Sequence, residues 1–585
     1  MMNHPKIAGS YNNLGAAHAA NGKYEQAINY YGQSLNIQLK AYESSPNHPD
    51  IAISYNNLGT VYHHNGEYKQ AIKYYKQALT LRLVVYTSNF DHPDIASSYN
   101  NLGEAYRENG EYEQAIEYHK QALYIRLKAY ESSPNHPDIA MSYNNLGAVY
   151  HHNGEYDQGI DYFQQALEIR LRAYESNPYH AHIATSYNDL GGAYYKKREY
   201  DKAIIYHQKA LEVRLIAYKS SPNHPDIASS YNNLGAVYYA KEEYDQAIDY
   251  YLQALNIRII AYESSPNHPD FAGSYNNLGA VYYSKGEYDE AIRYHRQALE
   301  IRLVVYESNP NHPDVVDSYN KLGDAHHNNG EYNEAINYYQ LVLEIRLVIH
   351  EGSLDTPDVA MSYDSLGITY TAKGDYEQAI VYHQQSLEIR LIVYENNPCH
   401  PDVANSYNEL GFAFYFSGRH DEAINYYQKA LAIRLVVYES NLNHPDIANI
   451  YNKLGLAFYC VGKYDKAINY YQQALAIGLV VHESIPNHPD VASVYRNLGA
   501  AYYEKGEHEE VINCYQRALE IYLIECQLRA KSTQKQKECC REFTKDMHHQ
   551  PLIRSDFASD LYLGLLFYPV EQGLYRLSNS RYCTG

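Results

Sequence analysis

Apolar and polar positions along this chain follow one short period and one long one. In Ser54–Asn65, SYNNLGTVYHHN, the residues Tyr55, Leu58, Gly59 and Tyr62 fall at offsets of 3, 4 and 7, which is one face of an α-helix. Asn65-Gly66 breaks the pattern. Tyr68, Ala71, Tyr75, Ala78 and Leu81 then resume helical spacing, and Ile72, Leu79 and Leu83 widen that apolar stripe. The pattern predicts a helix, a tight turn, a longer helix and a loop such as Ser88–Pro93. The Leu-Gly pair recurs twelve times from Leu14 to Leu498, each step 44 residues long. Self-similarity at this length marks a repeat architecture. Two helices cannot bury their apolar faces alone, but stacked pairs bury them continuously. The expected fold is an all-α, right-handed superhelical solenoid of twelve helix pairs, with the first helices inside.

The repeat reads Tyr55, Leu58-Gly59, Tyr62, Ala71, Tyr75, Ala78. This order of a large aromatic, Leu-Gly, Tyr, Ala, an aromatic and Ala resembles the tetratricopeptide repeat. That repeat is usually 34 residues long; here an extended second helix (Leu81–Tyr86, LRLVVY) and the His-Pro-Asp loop lengthen it. The phrase HPDIAxSYNNLG…GxYxxAIxYYxxALxIR is similar to the subgroup found in kinesin light chains and nephrocystin-3-type proteins. The resemblance covers roughly residues 4–526.

Composition adjusts this picture. The net charge of −21 argues against nucleic acid and suits partners with basic segments; a simply well-solvated surface is the other reading. There are 70 Tyr and no Trp, and every first helix carries a Tyr at the Tyr55 position. A stripe at helical spacing is expected to be core, each ring contributing roughly 2 kcal/mol. The glycine at the Gly59 position costs about 1 kcal/mol in a helix interior, so a close helix approach is expected there. Seven Cys without framework spacing suit a reducing compartment. The start, MMNHPKIAGS, has no signal-peptide core, and no apolar run is long enough to span a membrane. The expected location is the cytoplasm.

The chain divides into repeats at 1–526 and a tail at 527–585. It opens inside an inter-repeat loop, so either the first pair caps itself or an upstream domain is missing. Repeat five departs at Tyr179-His180-Ala181-His182. Repeats eight to eleven drift further: Lys321, Ser365, Glu409 and Lys453 replace the second Asn of the Asn-Asn pair, and Phe412, Phe414 and Phe416 add bulk. That half is the expected place for a partner-specific surface, relaxed drift being the alternative. The tail has a basic stretch, Ala530–Lys545, and an apolar one, Leu561–Val570. It is read as a cap on the final helix, a disordered extension or a wrongly predicted terminal exon.

The candidate binding residues are the asparagines before Leu-Gly. Asn56, Asn100, Asn144, Asn188, Asn232, Asn276, Asn320, Asn408 and Asn452 hold one position on the first-helix face, as does Asn12; Asp364 and Arg496 are exceptions. Asn offers one acceptor and two donors, so a ladder can bond an extended peptide backbone without reading its sequence. The resemblance to kinesin light chains implies the same, since their groove asparagines contact cargo peptides. Bridging between neighbouring first helices is the alternative, and both roles are compatible. Tyr195, Tyr239 and Tyr283, with Tyr415, Tyr459 and Tyr503, share the His63 position and are expected to line the groove.

His-Pro-Asp, as at His92-Pro93-Asp94, is read as a helix start, with Pro in the first turn and Asp at the positive dipole end. The pairs His63-His64, His151-His152 and His548-His549 lack ligands at metal spacing, so no metal or cofactor is expected. No phosphate loop, nucleophile elbow or dinucleotide fingerprint occurs. The expected function is a non-catalytic scaffold binding peptide segments of other proteins. The resemblance implies a kinesin-light-chain-like cargo adaptor, possible partner kinesin heavy chain, associated with microtubules. Two departures are the lack of an N-terminal heptad coiled coil and about twice the usual number of repeats. The alternatives are a nephrocystin-3-like ciliary or signalling scaffold and the regulatory arm of an enzyme.

Overall fold

A computed structural model of the chain describes residues 5–350, 356–482 and 488–529. These residues form twenty-four α-helices in twelve pairs, with no strand among them. The helix pairs form two compact units, Met1–Pro310 with repeats one to seven and Asn311–Gly585 with repeats eight to twelve. The last helix is His508–Arg529; of the expected tail, residues 530–585 lie outside the described residues.

Local chemistry sets each boundary. In repeat three the first helix, Pro93–Glu108, starts where His92 Nδ1 accepts the Asp94 backbone N–H at 3.2 Å. Pro93 occupies the first turn, where its missing N–H costs nothing. The Tyr86 ring stacks on His92 at 3.7 Å, and its hydroxyl donates to Asp94 Oδ2 at 2.8 Å. The His-Pro-Asp loop is therefore a helix cap clamped by the end of the previous helix. Repeat five keeps the cap without Pro-Asp: His182 N–H donates to His180 Nδ1, and Tyr174 bonds His182. In repeat nine Thr356 takes over the cap. Between the two helices of a repeat, the turn needs a left-handed residue, as at Gly66 with φ 78°. Repeats five and six force Arg198 (φ 61°) and Glu242 (φ 62°) into that conformation.

The core lies between the two helices of each repeat and continues into the next repeat, as where Leu79 and Ile95 share one buried cluster. Leu58, Gly59, Val61, Ala71, Tyr75 and Ala78 are buried. A Cβ on Gly59 would fall 2.6 Å from the Tyr75 ring. The close approach expected at this glycine is thus made by a ring of the partner helix. The same position holds His119, Phe163, His207 and Tyr251 above Gly103, Gly147, Gly191 and Gly235. Tyr55 and Tyr62, expected as core, are half-buried instead. They lie on either side of Tyr74, with centroids at 6.2 and 5.3 Å. This arrangement shelters the rings while their hydroxyls stay near water.

Repeat joins repeat through an arginine. Arg126 Nη1 donates to the Asp138 carbonyl at 3.1 Å and to Ser142 Oγ at 2.7 Å, both in the next first helix. Arg82, Arg214 and Arg346 repeat the bond to Ser98, Ser230 and Ser362. Where the serine becomes Ile450, Arg434 turns to Tyr438 and Asp446. At the last junction both partners are apolar or absent, Gly478 and Val494, so no buried donor is stranded. Leu83, expected on the buried stripe, is half-exposed, and its equivalents Leu127, Leu171 and Leu391 are more open still. Arg82 and Tyr86 share the face toward the next repeat, so Leu83 packs against the core with only part of its surface covered.

Gly59→Ala should lower stability by about 1–2 kcal/mol, because the overpacking cost exceeds the helix-propensity gain; the urea midpoint reads this. Arg198→Gly should raise stability by about 1 kcal/mol by relieving the left-handed backbone, and the melting midpoint should rise.

Candidate functional site

All nine candidate asparagines are half-buried on the first-helix face. The structure links most of them from repeat to repeat. Asn101 Nδ2 donates to Asn56 Oδ1 at 3.0 Å, and Asn145 donates likewise to Asn100. Asn233 bonds Asn188 at 2.6 Å, Asn277 bonds Asn232 at 2.8 Å and Asn497 bonds Asn452 at 3.0 Å. The second Asn of one repeat therefore holds the first Asn of the repeat before it. Lys453 Nζ makes the same link to Asn408 at 3.0 Å. Asn144 Oδ1 accepts from Arg170. The oxygen of Asn276 has no hydrogen-bond partner among the described residues, and Asn320 is half-buried at the same position. Bridging consumes the oxygens; the amide hydrogens of Asn56, Asn100, Asn232 and Asn452 are left over. Bridging and peptide binding thus draw on different atoms of one side chain.

Tyr195, Tyr239 and Tyr283 are half-buried beside these asparagines. Each packs against the first tyrosine of its own second helix, Tyr200 at 6.0 Å, Tyr244 at 6.1 Å and Tyr288 at 5.6 Å. The Tyr239 hydroxyl reaches Ser284 Oγ of the next repeat at 2.8 Å. First helices of successive repeats also touch, as Pro49–His64 touches Pro93–Glu108. The face is a strip of amides and ring edges tied together by these contacts.

Substitutions in the ladder alter its electrostatics. Asp189 takes the second Asn position in repeat five. Burial pushes its carboxyl up to about 6, against the opposing pull of Asn144 and Arg170. Asp364 stands for the first Asn in repeat nine and pairs with Arg390 at 2.5 Å. Burial lowers the Lys453 ammonium, which sits over the Phe412 ring at 5.4 Å. Of the three phenylalanines expected to add bulk in repeat ten, Phe414 is core, stacked on Tyr426 at 5.2 Å. Phe416 is exposed, and Phe412 is half-buried against it at 4.6 Å.

His63 and His151 pack edge-on to Tyr68 and Tyr156, and His548-His549 lies outside the described residues. One group of metal-ligand type occurs among the described residues, His482, His488 and Asp490, with ligand atoms within 4.8 Å. It is the loop clamp with His in place of Tyr: the two rings stack at 3.7 Å and 6°. His488 Nδ1 is already used to accept the Asp490 N–H. Sequence reasoning missed the arginine–serine links and the row of surface pairs such as Lys241 with Asp201 at 3.0 Å. Their signal was a fixed spacing, 16 residues from arginine to serine and 40 from Asp201 to Lys241.

A family model described as tetratricopeptide repeat matches residues 4–83, 138–216, 184–259, 270–347, 358–435, 402–478 and 479–523, and a second of that description matches 95–138. These matches span well over half of the sequence, and the chain belongs to the tetratricopeptide repeat family. No curated protein matches it significantly. Among solved structures it is similar to BtubC (BKLC) from P. vanneervenii, at 22% identity over 42% of this chain and 94% of that one, with a TM-score of 0.36. It is also similar to a putative kinesin light chain with nearly identical TPR-like repeats from Podosopora anserina. That match has 26% identity over 37% of this chain and 98% of that one, with a TM-score of 0.32. No helix among the described residues is long and apolar enough to cross a membrane.

Acid should loosen the core through its buried histidines. Both nitrogens of His119 and Nδ1 of His207 have no hydrogen-bond partner among the described residues, and burial holds each ring near 4. Between pH 6.5 and 4 the unfolded chain takes up protons that the folded rings refuse. Stability is therefore full above pH 6.5 and falls by about 2–3 kcal/mol per ring by pH 4.5. Asp189 opposes this, because its folded carboxyl is protonated first as pH falls from 6. Urea midpoints at pH 7 and 4.5 should show the H119F/H207F variant losing much of the wild-type acid sensitivity; Phe163 already fills that position in repeat four.

Proposed function

We propose that this chain is a non-catalytic scaffold that binds extended peptide segments of other proteins across its first-helix face. The observation that carries this reading is the row Tyr195, Tyr239 and Tyr283, half-open in three consecutive repeats and fixed along one edge by neighbouring tyrosines. Rings held in this way anchor a peptide at little entropic cost and offer hydroxyls as well as apolar area. Between them Asn232, its oxygen taken by Asn277, keeps amide hydrogens for a peptide carbonyl. The net charge of −21 favours segments that carry Lys or Arg. The finer reading, a cytoplasmic cargo adaptor of a microtubule motor with kinesin heavy chain as partner, is supported by the repeat signature HPDIAxSYNNLG. Both matching family models describe a tetratricopeptide repeat, which suits a non-catalytic role, and the tail at 527–585 is read as a cap on the last helix or a disordered extension.

Affinity capture from native lysate should compare wild type with Y195T/Y239T/Y283T, Thr371 being native to that position. Aromatic anchors lost at an interface raise Kd by about tenfold or more. Partners should therefore disappear from the variant while its melting midpoint holds. Kinesin heavy chain in the wild-type capture supports the adaptor; equal recovery of every partner refutes the peptide face.

A further inference from the structure

The three rings that Tyr55, Tyr62 and Tyr74 bring together in repeat two recur along the chain, and the chain itself shows what they attract. A Lys or Arg stands over one ring of this trio in repeats two, three, five, seven, nine, ten and eleven. Lys76 reaches from the preceding second helix to 5.3 Å from Tyr106. Lys202 lies 5.1 Å from Tyr194, Lys209 5.4 Å from Tyr206 and Arg293 4.0 Å from Tyr294, all within one repeat. The electron-rich face of an aromatic ring attracts a cation within about 6 Å. In repeat eleven the trio Tyr451, Phe458 and Tyr470 borders an open cleft of about 490 Å³. Gln428 of the preceding second helix and Lys466 and Asn469 of its own line that cleft as well.

Repeat six keeps the trio and, among the described residues, lacks the cation. Tyr231 and Tyr238 lie 6.2 and 5.2 Å from Tyr250, and all three rings are half-buried. The positions of Lys76, Lys202, Lys209 and Arg293 are held here by Gln208, Gln246, Gln253 and Asp249. Lys241, at the position of Lys373, is drawn away by Asp201 at 3.0 Å and Glu243 at 2.9 Å. Against repeat eleven, Gln246 for Lys466 removes an ammonium, and Asp249 for Asn469 adds an exposed carboxylate. The other repeats without a cation over a ring differ. Repeats one and eight have His18 and His326 in the trio, repeat twelve has Cys514, and repeat four has Lys120 near Tyr162. The net charge of −21 draws cationic segments toward the chain. At physiological salt that field fades within about 8 Å, so the local rings and carboxylate decide where a cation settles.

We propose that the tyrosine trio of repeat six binds a Lys or Arg side chain of a partner protein. That side chain takes the place over Tyr231, Tyr238 and Tyr250 that the chain's own cations take elsewhere, and Asp249 balances its charge. The site is reached from the second helices and is distinct from the peptide face of the first helices. The probe is a fluorescein-labelled tetralysine peptide carrying a benzophenone, titrated into the full chain at about 0.15 M salt. Its crosslinks should fall on Tyr244–Ala261, the second helix of repeat six. The Q246K variant installs the residue native at Lys202 and Lys466 and so supplies the chain's own ammonium. It should raise Kd about two- to fivefold and lose the crosslink, with an unchanged melting midpoint. D249N, which installs the residue native at Asn469, should weaken binding in the same direction. S132K adds the same charge as Q246K in an exposed loop and should leave Kd and the crosslink as in wild type. Equal shifts in Q246K and S132K overturn the proposal, as do crosslinks confined to the first helices or an absence of binding.

Discussion

Everything in this molecule depends on how closely the two helices of a repeat approach. The contact is a ring laid on a glycine: with a Cβ 2.6 Å from Tyr75, Gly59 cannot be replaced without displacing the ring. Glycine inside a helix weakens it by about 1 kcal/mol, and the burial of a large ring outweighs that loss. Which ring is used matters less than its size. Tyrosine, phenylalanine and histidine all occupy the position, although a buried histidine brings a pH dependence that the others do not.

The second constraint acts between repeats and is polar. Burying an arginine is costly unless its donors are satisfied, and Arg126 meets a carbonyl and a serine hydroxyl of the next helix. The asparagine bridges, such as Asn277 to Asn232, add a further link on the first-helix side. These bonds have geometric demands that apolar packing lacks, so they fix the register of one repeat on the next. A constant 44-residue step then preserves the same bonds along each unit. The His-Pro-Asp loop adds a clamp, with a stacked tyrosine holding the cap of the following helix.

The first-helix face presents amides and tyrosines that stacking has already ordered, which suits recognition of extended chains. The outer ends of the second helices present aliphatic side chains that stacking leaves uncovered.

The sequence alone determined the helical pairs, their number, the turn and the capped loop, because each rests on local spacing: apolar residues at 3 and 4, Asn-Gly, and His-Pro-Asp. It also put the asparagines on one face, since that follows from helix geometry. What it could not assign was the partner of each group, because the partners lie 16 to 45 residues away, as Arg126 to Ser142 and Asn101 to Asn56 do. Only tertiary structure decided that Tyr55 and Tyr62 are half-buried around Tyr74, that the oxygen of each bridged asparagine accepts an amide N–H from the next repeat, and that Leu83 is only partly buried. The physical reason is common to all three. Periodicity says which residues share a face, whereas burial depends on what the next repeat brings against it.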